Sequence, residues 1–588
     1  MPISNDNIIN RLSELKRPSP EHPRQFVPDD LDLSEWKNFE PLINNLADRT
    51  IDSKEALEQW LIDESELSVV ISEERTRRYV AATCATDDKD AERSYLNYIS
   101  KIIPKIQPLW HKLDQKLMNS DQLYKLDQKR YSILIRHRRT HNELFREESI
   151  QLNVEITKLI QQYQKIMGGM TVDFKGNEHT LQRMWVYVYN QDRDLRREAW
   201  TAIIKRELQD SEQIDEIFDK LLVLRIQVAR NAGYNDFRMY QFRLNNRFDY
   251  TPDDCFFFHE AIEKYVVPLA RKLQEERRKV LGLDTIRPWD KNCDTGCTKP
   301  LKPFQTVKQL VDGCREIFYK VDSELGDWFQ KMIDLGLLDL SSRKGKAPGG
   351  YQVALSEVRL PFIFMNAVGL NSDLFTLLHE AGHAFHQFAV SHDPIMTYRS
   401  APKEFNEVAS MSMELLGSGY IDTFYNVRDA ARARRNIFED MTWKLISVAI
   451  NDAFQHWIYT HPGHSPDERS DYYVKLIERF GSGVDWSGYE DLQRNAWHVI
   501  GQLFRAPFYY IEYGIAQLGA LQVWLNSLKD KEEAIEAYKN ALSLGGSRSL
   551  PELFKTAKTK FDLSEKIIEP MMIEVANEIE RQWKMESG

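Results

Sequence analysis

Residues 371–390 read NSDLFTLLHEAGHAFHQFAV and contain the pattern H-E-x-x-H, formed by His379, Glu380 and His383. The flanking apolar residues predict a helix, in which four residues advance the chain by about 400°. The two histidines therefore share one face, one turn apart, where two neutral imidazoles can bind one zinc ion. Glu380 is rotated by about 100° from His379, so its carboxylate can reach a water on the metal. The stretch predicts a zinc centre with Glu380 as general base; the alternative is a partly buried helix with two hydrogen-bonded histidines.

A zinc site of this kind needs a third protein ligand. The extended pattern, with a third histidine six residues after His383, fails because His386 replaces its glycine and Ala389 replaces its histidine. A glutamate from a following helix is the other source of a ligand. Residues 400–417 (SAPKEFNEVASMSMELLG) predict such a helix, since a proline near its start and a glycine at its end are typical of helix boundaries.

Spacing alone does not choose among the three glutamates of this second helix. Glu407 has small and apolar neighbours that suit a buried ligand, so it is the preferred candidate. Glu404 lies nearer the helix start, where it can complement the dipole. Glu414 can instead accept a hydrogen bond from a ligating histidine. We expect His386 to line the site or pack, because it lies about 10 Å along the helix axis from the first histidine.

Composition excludes several classes of protein. The 588 residues are 42% hydrophobic and 28% charged, which is typical of a globular chain. A net charge of -11 argues against nucleic acid as the partner. Five cysteines, an odd and low number, argue against a disulfide framework, and we expect Cys293 and Cys297 to be free thiols. We find no long uncharged apolar run and no secretory signal, so we expect no membrane span and a cytoplasmic location.

Apolar periodicity predicts a mainly helical chain. Residues 152–167 and 251–281 carry helical stripes. Residues 170–181 alternate around a glycine and predict a hairpin, and Tyr351–Leu355 with Leu360–Met365 form a second candidate strand pair. At the start of the H-E-x-x-H helix, the polar side chains that can act as the cap are Asn371 or Ser372.

Four blocks of sequence resemble the thimet oligopeptidase and oligoendopeptidase F family of zinc peptidases, the last two most closely its Pz-peptidase branch. They are TLLHEAGHAFH (376–386), EFNEVASMSMELL (404–416), AFQHWIYTHPGHSPDER (453–469) and APFYYIEYGIAQLGALQVW (506–524). The resemblance implies a large, mainly α, two-lobed gluzincin fold with a deep substrate channel and a small β element. We expect a helical N-terminal lobe over residues 1–200 and a catalytic region over residues 201–588.

The resemblance also implies roles for individual residues. By position, the zinc ligands are His379, His383 and Glu407, and Glu380 is the catalytic carboxylate. In the same way the resemblance implies that the tyrosines which contact substrate and stabilise the oxyanion are Tyr510 and Tyr513, with Tyr509 as a neighbouring candidate. The chain departs from the family at Gln502, where relatives carry a histidine. Glutamine can donate a hydrogen bond but cannot become cationic, so either Gln502 or His498, one helical turn earlier, takes over this part of the site.

The expected activity is zinc-dependent hydrolysis of internal bonds in short peptides, with no nucleic acid or membrane partner. The candidate strand Tyr351–Leu355 is expected to pair with substrate backbone, and Gly350 beside it is expected to allow close approach. A related zinc exopeptidase is one alternative; it would hold the terminal carboxylate with a cation such as Arg505 or Arg399. The other alternative is a peptide-binding protein without activity, against which the retention of Glu380 argues, because binding needs no general base.

Overall fold

The computed structural model describes residues 5–291, 293 and 300–587, and most of them lie in helices. The N-terminal part is a succession of helices joined by short loops. Their bounds are α1 Asn5–Glu14, α2 Trp36–Asp48, α3 Lys54–Cys84, α4 Lys89–Asn97, α5 Ile103–Met118, α6 Gln128–Leu144 and α7 Ser149–Gly169. The long helix α3 starts at the cap Ser53, whose side chain accepts a hydrogen bond from the backbone of Ala56. The second half of α3 lines the candidate site.

A short hairpin and six helices follow. The antiparallel strands are β1 Thr171–Phe174 and β2 Asn177–Thr180, as the alternation around Gly176 predicts. The helices are α8 Leu181–Val188, α9 Arg193–Leu208, α10 Ser211–Asn231, α11 Phe237–Leu244, α12 Pro252–Ala261 and α13 Val267–Val280. One π-helical turn, Ile262–Val266, joins α12 to α13, so the single helix predicted over 251–281 is one rod with a local irregularity.

Two helices and a small mixed sheet come before the H-E-x-x-H segment. Their bounds are α14 Val307–Val321, α15 Ser323–Asp334, β3 Leu338–Ser341, β4 Tyr351–Leu355 and β5 Leu360–Ala367. The strand order is β3-β5-β4, with β5 parallel to β3 and antiparallel to β4. Strand β4 is therefore an edge strand, and one side of its backbone is left for another partner.

The remaining helices build the body around the site. They are α16 Asn371–Ala389, α17 Lys403–Ser418, α18 Val427–Thr460, α19 Pro466–Phe480, α20 Glu490–Arg494, α21 Gly501–Arg505, α22 Tyr510–Lys529, α23 Lys531–Leu544, α24 Leu550–Thr556 and α25 Glu565–Ser587. Helix α17 packs against both α16 and α22. All three contribute buried apolar residues to the largest hydrophobic cluster of the chain. The site helices are thus held by the main core, not by a surface loop.

The structure confirms the mainly α prediction, the hairpin and the second strand pair. It corrects the cap of the H-E-x-x-H helix: neither Asn371 nor Ser372 caps it. Instead, Asp373 accepts hydrogen bonds at 2.8–2.9 Å from the backbone N–H groups of residues 368–370. A carboxylate in the first turn satisfies these donors and complements the helix dipole at the same time. The lobe boundary at residue 200 stays a prediction.

The structure tests two further predictions, one on disulfides and one on membrane-spanning helices. Cys84, Cys255 and Cys314 are buried and form no disulfide among the described residues. Cys297, which was predicted to be a free thiol like Cys293, lies outside the described residues. Within the described ranges, none of the helices has the length and apolarity that crossing a bilayer requires.

Candidate active site

Small residues bring α16 and α17 into unusually close contact. A methyl group at Gly382 would lie 2.6 Å from both the carbonyl oxygen of Ala409 and the α-carbon of Ser410. The two helix backbones therefore touch where glycine faces alanine and serine. The hydroxyl of Tyr538 in α23 donates a hydrogen bond to the same Ala409 carbonyl at 2.8 Å. This contact fixes the face of α17 that looks toward His379 and His383.

The three predicted ligand side chains converge across that contact. The Nε2 atom of His379 lies 3.5 Å from Oε2 of Glu407, and the Nε2 atom of His383 lies 3.9 Å from the same oxygen. The potential ligand atoms of the three residues all lie within 4.8 Å of one another. Two imidazoles and one carboxylate in this arrangement are a donor set that zinc accepts.

The other carboxylates of α17 are placed differently. Oε1 of Glu414 lies 2.6 Å from Nδ1 of His379, on the far side of the ring from Glu407. Glu404 instead accepts a hydrogen bond from the hydroxyl of Tyr250 at 2.7 Å and lies 4.0 Å from Arg247. Glu414 therefore orients His379, as carboxylates behind metal-ligating histidines commonly do. Glu404 belongs to a separate buried network.

The electrostatics of the cluster favour a cation. Burial would lower the pKa of His379, but hydrogen bonds to Glu407 and Glu414 outweigh it and raise that pKa to about 10. Burial, followed by the charge of His379, lowers the pKa of His383 to about 4. Burial would raise the pKa of Glu407, but its contacts with the two histidines lower it to about 2. Two carboxylates thus stabilise positive charge between the imidazoles, and a metal ion would supply that charge in exchange for a proton.

Glu380 lies beside the ligand cluster, but its pKa is raised, whereas that of Glu407 is lowered. The side chain is buried, and this burial, with the charge of Glu407, raises its pKa to about 7 even though His379 opposes the shift. Its carboxylate accepts a hydrogen bond from the backbone N–H of Gln352 in β4. A carboxylate with a pKa near neutrality can both accept and release a proton at ordinary pH.

A tyrosine cluster meets the ligands from the start of α22. The hydroxyl of Tyr509 lies 3.5 Å from Oε1 of Glu407, and its ring is 5.0 Å from the ring of Tyr513. Tyr510 lies one step further, with its ring 6.3 Å from that of Tyr513. Tyr509 therefore makes the closest described contact between the tyrosines and Glu407, although Tyr510 and Tyr513 were the first expectations.

The turn before these tyrosines is strained and firmly held. Phe508 has φ of 63°, a left-handed conformation that bulky side chains rarely adopt. Its N–H donates to the side chain of Gln455 at 2.8 Å, and its carbonyl accepts a hydrogen bond from Arg247. The guanidinium of Arg247 also pairs with Glu512 at 2.8 Å. The surrounding structure thus imposes the backbone geometry that aims Tyr509 at Glu407.

Two cavities flank the cluster. One, of about 440 Å³, is lined by His383, Glu407 and Tyr509 together with β4 residues Gln352, Val353 and Ala354. The other, also about 440 Å³, is lined by His379, Glu380 and Glu414 together with α18 residues. The predicted ligands and Glu380 therefore lie between two spaces, each large enough for several side chains of an extended peptide.

Comparison with known proteins bears on this geometry directly. The sequence model of peptidase family M3 matches residues 186–573, and the model of the peptidase M3 N-terminal domain matches residues 31–145. The chain belongs to peptidase family M3. This confirms the resemblance drawn from the four sequence blocks.

Similar M3 proteins span nearly the whole chain. An oligoendopeptidase F homolog from Borreliella burgdorferi is 23% identical over 510 residues, which cover 81% of this chain and 82% of that protein. A solved structure described as a putative oligoendopeptidase F has 25% identity and a TM-score of 0.86, covering 95% of this chain and 99% of its own. Pz peptidase A, solved with an inhibitor, has 25% identity and a TM-score of 0.85 over the same shares.

Two sequence-predicted residues of this M3 chain lie apart from the cluster. His498 is buried, with its Nε2 atom 3.4 Å from Asp215 and its carbonyl accepting a hydrogen bond from Tyr163. Gln502 is half-buried in α21 and lines neither cavity. A contact of either side chain with substrate stays a prediction, and these surroundings do not support it for His498.

The strand predicted to meet substrate is present, but its first side chain points elsewhere. The ring of Tyr351 stacks on Phe364 at 4.6 Å, and its hydroxyl lies 2.5 Å from that of Thr83 in α3. Gly350 precedes the strand and is exposed. Any role of these two residues in the M3 cleft thus belongs to the backbone of β4 and not to the Tyr351 ring.

Sequence reasoning missed the contribution of α3 and the basic lining of the cleft. Ser72, Arg75 and Thr76 of α3 line the same cavity as His383, as does Lys403. The Nζ atom of Lys403 lies 5.4 Å from the centre of the Tyr509 ring. No spacing signal links residues near 75 with residues near 383, because only the tertiary fold of the M3 chain brings them together.

Proposed function

We propose that this chain is a zinc-dependent endopeptidase that hydrolyses internal bonds of short peptides. The observation that carries the proposal is the convergence of His379, His383 and Glu407 beside Glu380, a buried carboxylate whose pKa is raised to about 7. A binding protein needs no general base, whereas hydrolysis of a peptide bond by an activated water uses one.

The metal would be held by His379, His383 and Glu407, with Glu414 behind His379. Their mutual distances, and the presence of two carboxylates against two imidazoles, fit a divalent cation with nitrogen and oxygen ligands. When bound there, such an ion supplies Lewis acidity that polarises the scissile carbonyl and makes water a stronger acid. Ligand type constrains the metal only loosely, so zinc itself rests on the likeness to the zinc peptidases.

Glu380 would move the proton. In its unprotonated form the carboxylate accepts a proton from the attacking water, while the N–H of Gln352 keeps it in place. The protonated carboxyl then donates to the amide nitrogen as the bond to the carbonyl carbon breaks. The water thus adds its oxygen to the carbonyl carbon, and its proton leaves on the new amine.

The tyrosine hydroxyls would stabilise the negative charge that develops on the carbonyl oxygen. Tyr510 and Tyr513 were expected in this role, and the short path from Tyr509 to Glu407 makes Tyr509 the third candidate. A hydroxyl that is already in position is effective here, because a hydrogen bond stabilises charge more strongly in a buried site than in water. The imposed backbone at Phe508 holds the hydroxyls in position before substrate arrives.

The free edge of β4 would align the substrate. Gln352, Val353 and Ala354 face the cavity beside His383, so an extended peptide can add to this edge through main-chain hydrogen bonds. Recognition of backbone places little demand on sequence. The related proteins are named oligoendopeptidase and oligopeptidase, which agrees with a short and sequence-tolerant substrate.

An exopeptidase of the same chemistry is the second candidate. The exposed cations Arg75 and Lys403 line the cavity on the β4 side and could hold a terminal carboxylate. Arg399, one of the two expected cations, also lines this cavity, but it is buried and donates a hydrogen bond to the carbonyl of Ser356. Arg505, the other, lines a neighbouring cavity of about 300 Å³. Peptides with free and amidated C-termini separate the two activities, because an exopeptidase cuts only the free form.

The central test compares Glu380→Gln with the wild type on internally quenched peptides and on intact casein. The wild type is expected to cut the peptides and to spare casein. Glu380→Gln should keep its metal but lose about 10²–10⁴-fold in kcat, the usual contribution of a general acid–base group. Glu536→Gln, an exposed change of the same kind in α23, serves as control. Full activity of Glu380→Gln would contradict the mechanism.

A further inference from the structure

A second cluster of metal-ligand side chains lies between α12 and α18, outside the catalytic site. Cys255 and His259 are four residues apart in α12, and Asp452 and His456 are four apart in α18. Each pair therefore projects from one face of its helix. The two helices pack against each other, which brings the two pairs together in the interior.

The four side chains are close and excluded from water. Oδ2 of Asp452 lies 2.9 Å from Nε2 of His259 and 3.3 Å from Nε2 of His456. Ligand atoms of Cys255, Asp452 and His456 all lie within 4.8 Å of one another. The four residues are between 0 and 3% exposed. Cysteine, histidine and aspartate at such distances are the residue types that bind zinc.

Hydrogen bonding among the described residues leaves this cluster unsatisfied. Oδ1 of Asp452 and both ring nitrogens of His456 have no hydrogen-bond partner there, although the imidazole lies close to the carboxylate. The ring of His456 is surrounded by aromatic rings, those of Phe256 at 4.9 Å and Phe508 at 5.3 Å. Each buried polar group left without a partner costs about 1–3 kcal/mol. Packing of α12 on α18 alone does not explain why polar atoms occupy this apolar place.

We propose that Cys255, His259, Asp452 and His456 bind a structural zinc ion. The Cys255 thiol gives up its proton to solvent on binding, because a coordinating thiol is deprotonated by the metal. Thiolate and carboxylate then balance the two charges of the ion, and both imidazoles bind as neutral ligands. The buried site therefore carries no net charge, which removes the main cost of burying an ion.

The geometry requires only a local contraction. Tetrahedral bonds of about 2.0–2.3 Å place ligand atoms about 3.3–3.8 Å apart. The Asp452–His456 separation of 3.3 Å already meets this condition, and a ligand atom of Cys255 lies within 4.8 Å of both residues. Nε2 of His259 lies 2.9 Å from Asp452, and its ring has to move toward Cys255 and His456 to complete the set. Four protein ligands leave no open coordination position. The ion would therefore be structural, in contrast to the catalytic centre, where His379, His383 and Glu407 leave one position for substrate.

The position of the cluster links it to the tyrosine turn. His456 packs on Phe508, and the adjacent Gln455 accepts the hydrogen bond from the Phe508 N–H. Phe508 is the residue in the left-handed conformation that precedes Tyr509. An ion that cross-links α12 to α18 would thus also hold the support on which the tyrosine segment rests.

Cobalt substitution tests the proposal in the intact protein. Chains produced with cobalt in place of zinc should show an intense thiolate-to-cobalt charge-transfer absorption in the near ultraviolet, which the thiolate-free catalytic site cannot give. The band should disappear in Cys255→Ser and persist in Cys314→Ser, a matched change at another fully buried cysteine. Wild-type protein should carry two metal ions per chain, and Cys255→Ser should carry one.

The outcomes are decisive in either direction. No charge-transfer band in the cobalt-loaded wild type, or a band that survives Cys255→Ser, overturns the proposal. Should Cys255→Ser fail to fold, His456→Gln keeps the thiolate and removes one imidazole. The band of His456→Gln should then shift or weaken, and an unchanged band would overturn the proposal as well. None of these readouts depends on peptidase activity, so failure here leaves the proposed catalytic function untouched.

Discussion

Gly382 of α16 lies against the carbonyl of Ala409 in α17 so closely that a methyl group at Gly382 would come within 2.6 Å of the carbonyl oxygen. The substitution Gly382→Ala should therefore separate the two helices and displace Glu407 from the histidines. We expect a loss of about 1–3 kcal/mol in the free energy of unfolding, typical of overpacking, together with weaker metal binding. Gly168→Ala, at a helical glycine with no atom in the path of a methyl group, is the control and should not be destabilising. Denaturant unfolding and metal content measure both effects, and equal behaviour of the two variants would contradict the argument.

Glu414 and Glu404 should differ sharply in their effect on the metal. Because Glu414 is bonded to Nδ1 of His379, Glu414→Gln should lower metal affinity about 10–100-fold, as is usual for a carboxylate behind a ligating histidine. Glu404→Gln changes a carboxylate that faces Tyr250, so it should leave metal affinity unchanged and reduce stability instead. Competition with a chelator measures both affinities. A larger effect at Glu404 would contradict the ligand arrangement.

Removal of a tyrosine hydroxyl should slow catalysis without weakening substrate binding. If a hydroxyl stabilises the oxyanion, its loss lowers kcat about 10²–10³-fold and leaves KM nearly unchanged. Tyr509→Phe, Tyr510→Phe and Tyr513→Phe, measured side by side, identify which hydroxyl acts. Tyr124→Phe, at a tyrosine 82% exposed, is the control. Three variants with wild-type kcat would remove the tyrosines from the mechanism.

Gln502→His should not accelerate the reaction. The side chain lines neither cavity beside the proposed metal site, so an imidazole there has no described route to the scissile bond. We expect kcat/KM on a quenched peptide to stay at the wild-type value. A tenfold gain, equivalent to about 1.4 kcal/mol of transition-state stabilisation, would show that this position approaches substrate during turnover.

Glu207 should make the stability of the wild type fall as pH rises. Burial raises its pKa from the ordinary 4.5 to about 7, so the folded chain binds this proton more tightly than the unfolded chain. The contribution of this proton to the free energy of unfolding is fully present below pH 4.5 and is lost as pH rises through 7. Glu207→Gln should therefore gain stability relative to wild type between pH 5 and pH 8, which denaturant unfolding measures. Glu198→Gln, at an exposed position of the same helix, should show no such trend.

Local patterns in the sequence predict much of the fold and the proposed ligand set. The H-E-x-x-H helix follows from spacing and apolar flanks, and the preference for Glu407 follows from its small neighbours, whose backbone touches Gly382 in the structure. The likeness to known peptidases was needed for the tyrosines, because aromatic residues at helical spacing are more often core. Even so, the structure places Tyr509, not Tyr510 or Tyr513, in contact with Glu407.

The sequence contains no pattern that indicates which distant segments contact one another. Cys255 with His259 and Asp452 with His456 each show a four-residue spacing, but nothing in the sequence pairs the two segments. Arg75 likewise reaches the cleft only through the packing of α3. The sequence makes His498 a candidate to replace the missing family histidine. In the fold, however, its imidazole lies beside Asp215. Such pairings depend on tertiary packing, which residue spacing does not encode.

The packing of α22 against α17 has a consequence for the newly made chain. Tyr509 follows Glu407 by 102 residues, so the tyrosines leave the ribosome well after the proposed metal ligands. At synthesis rates of about 5–20 residues per second, that delay is about 5–20 seconds. During this interval a nascent chain can gather the histidines and Glu407 but lacks the hydroxyls that complete the proposed oxyanion site. A nascent chain that has passed Glu407 but not Tyr509 should therefore bind metal before it gains the proposed peptidase activity.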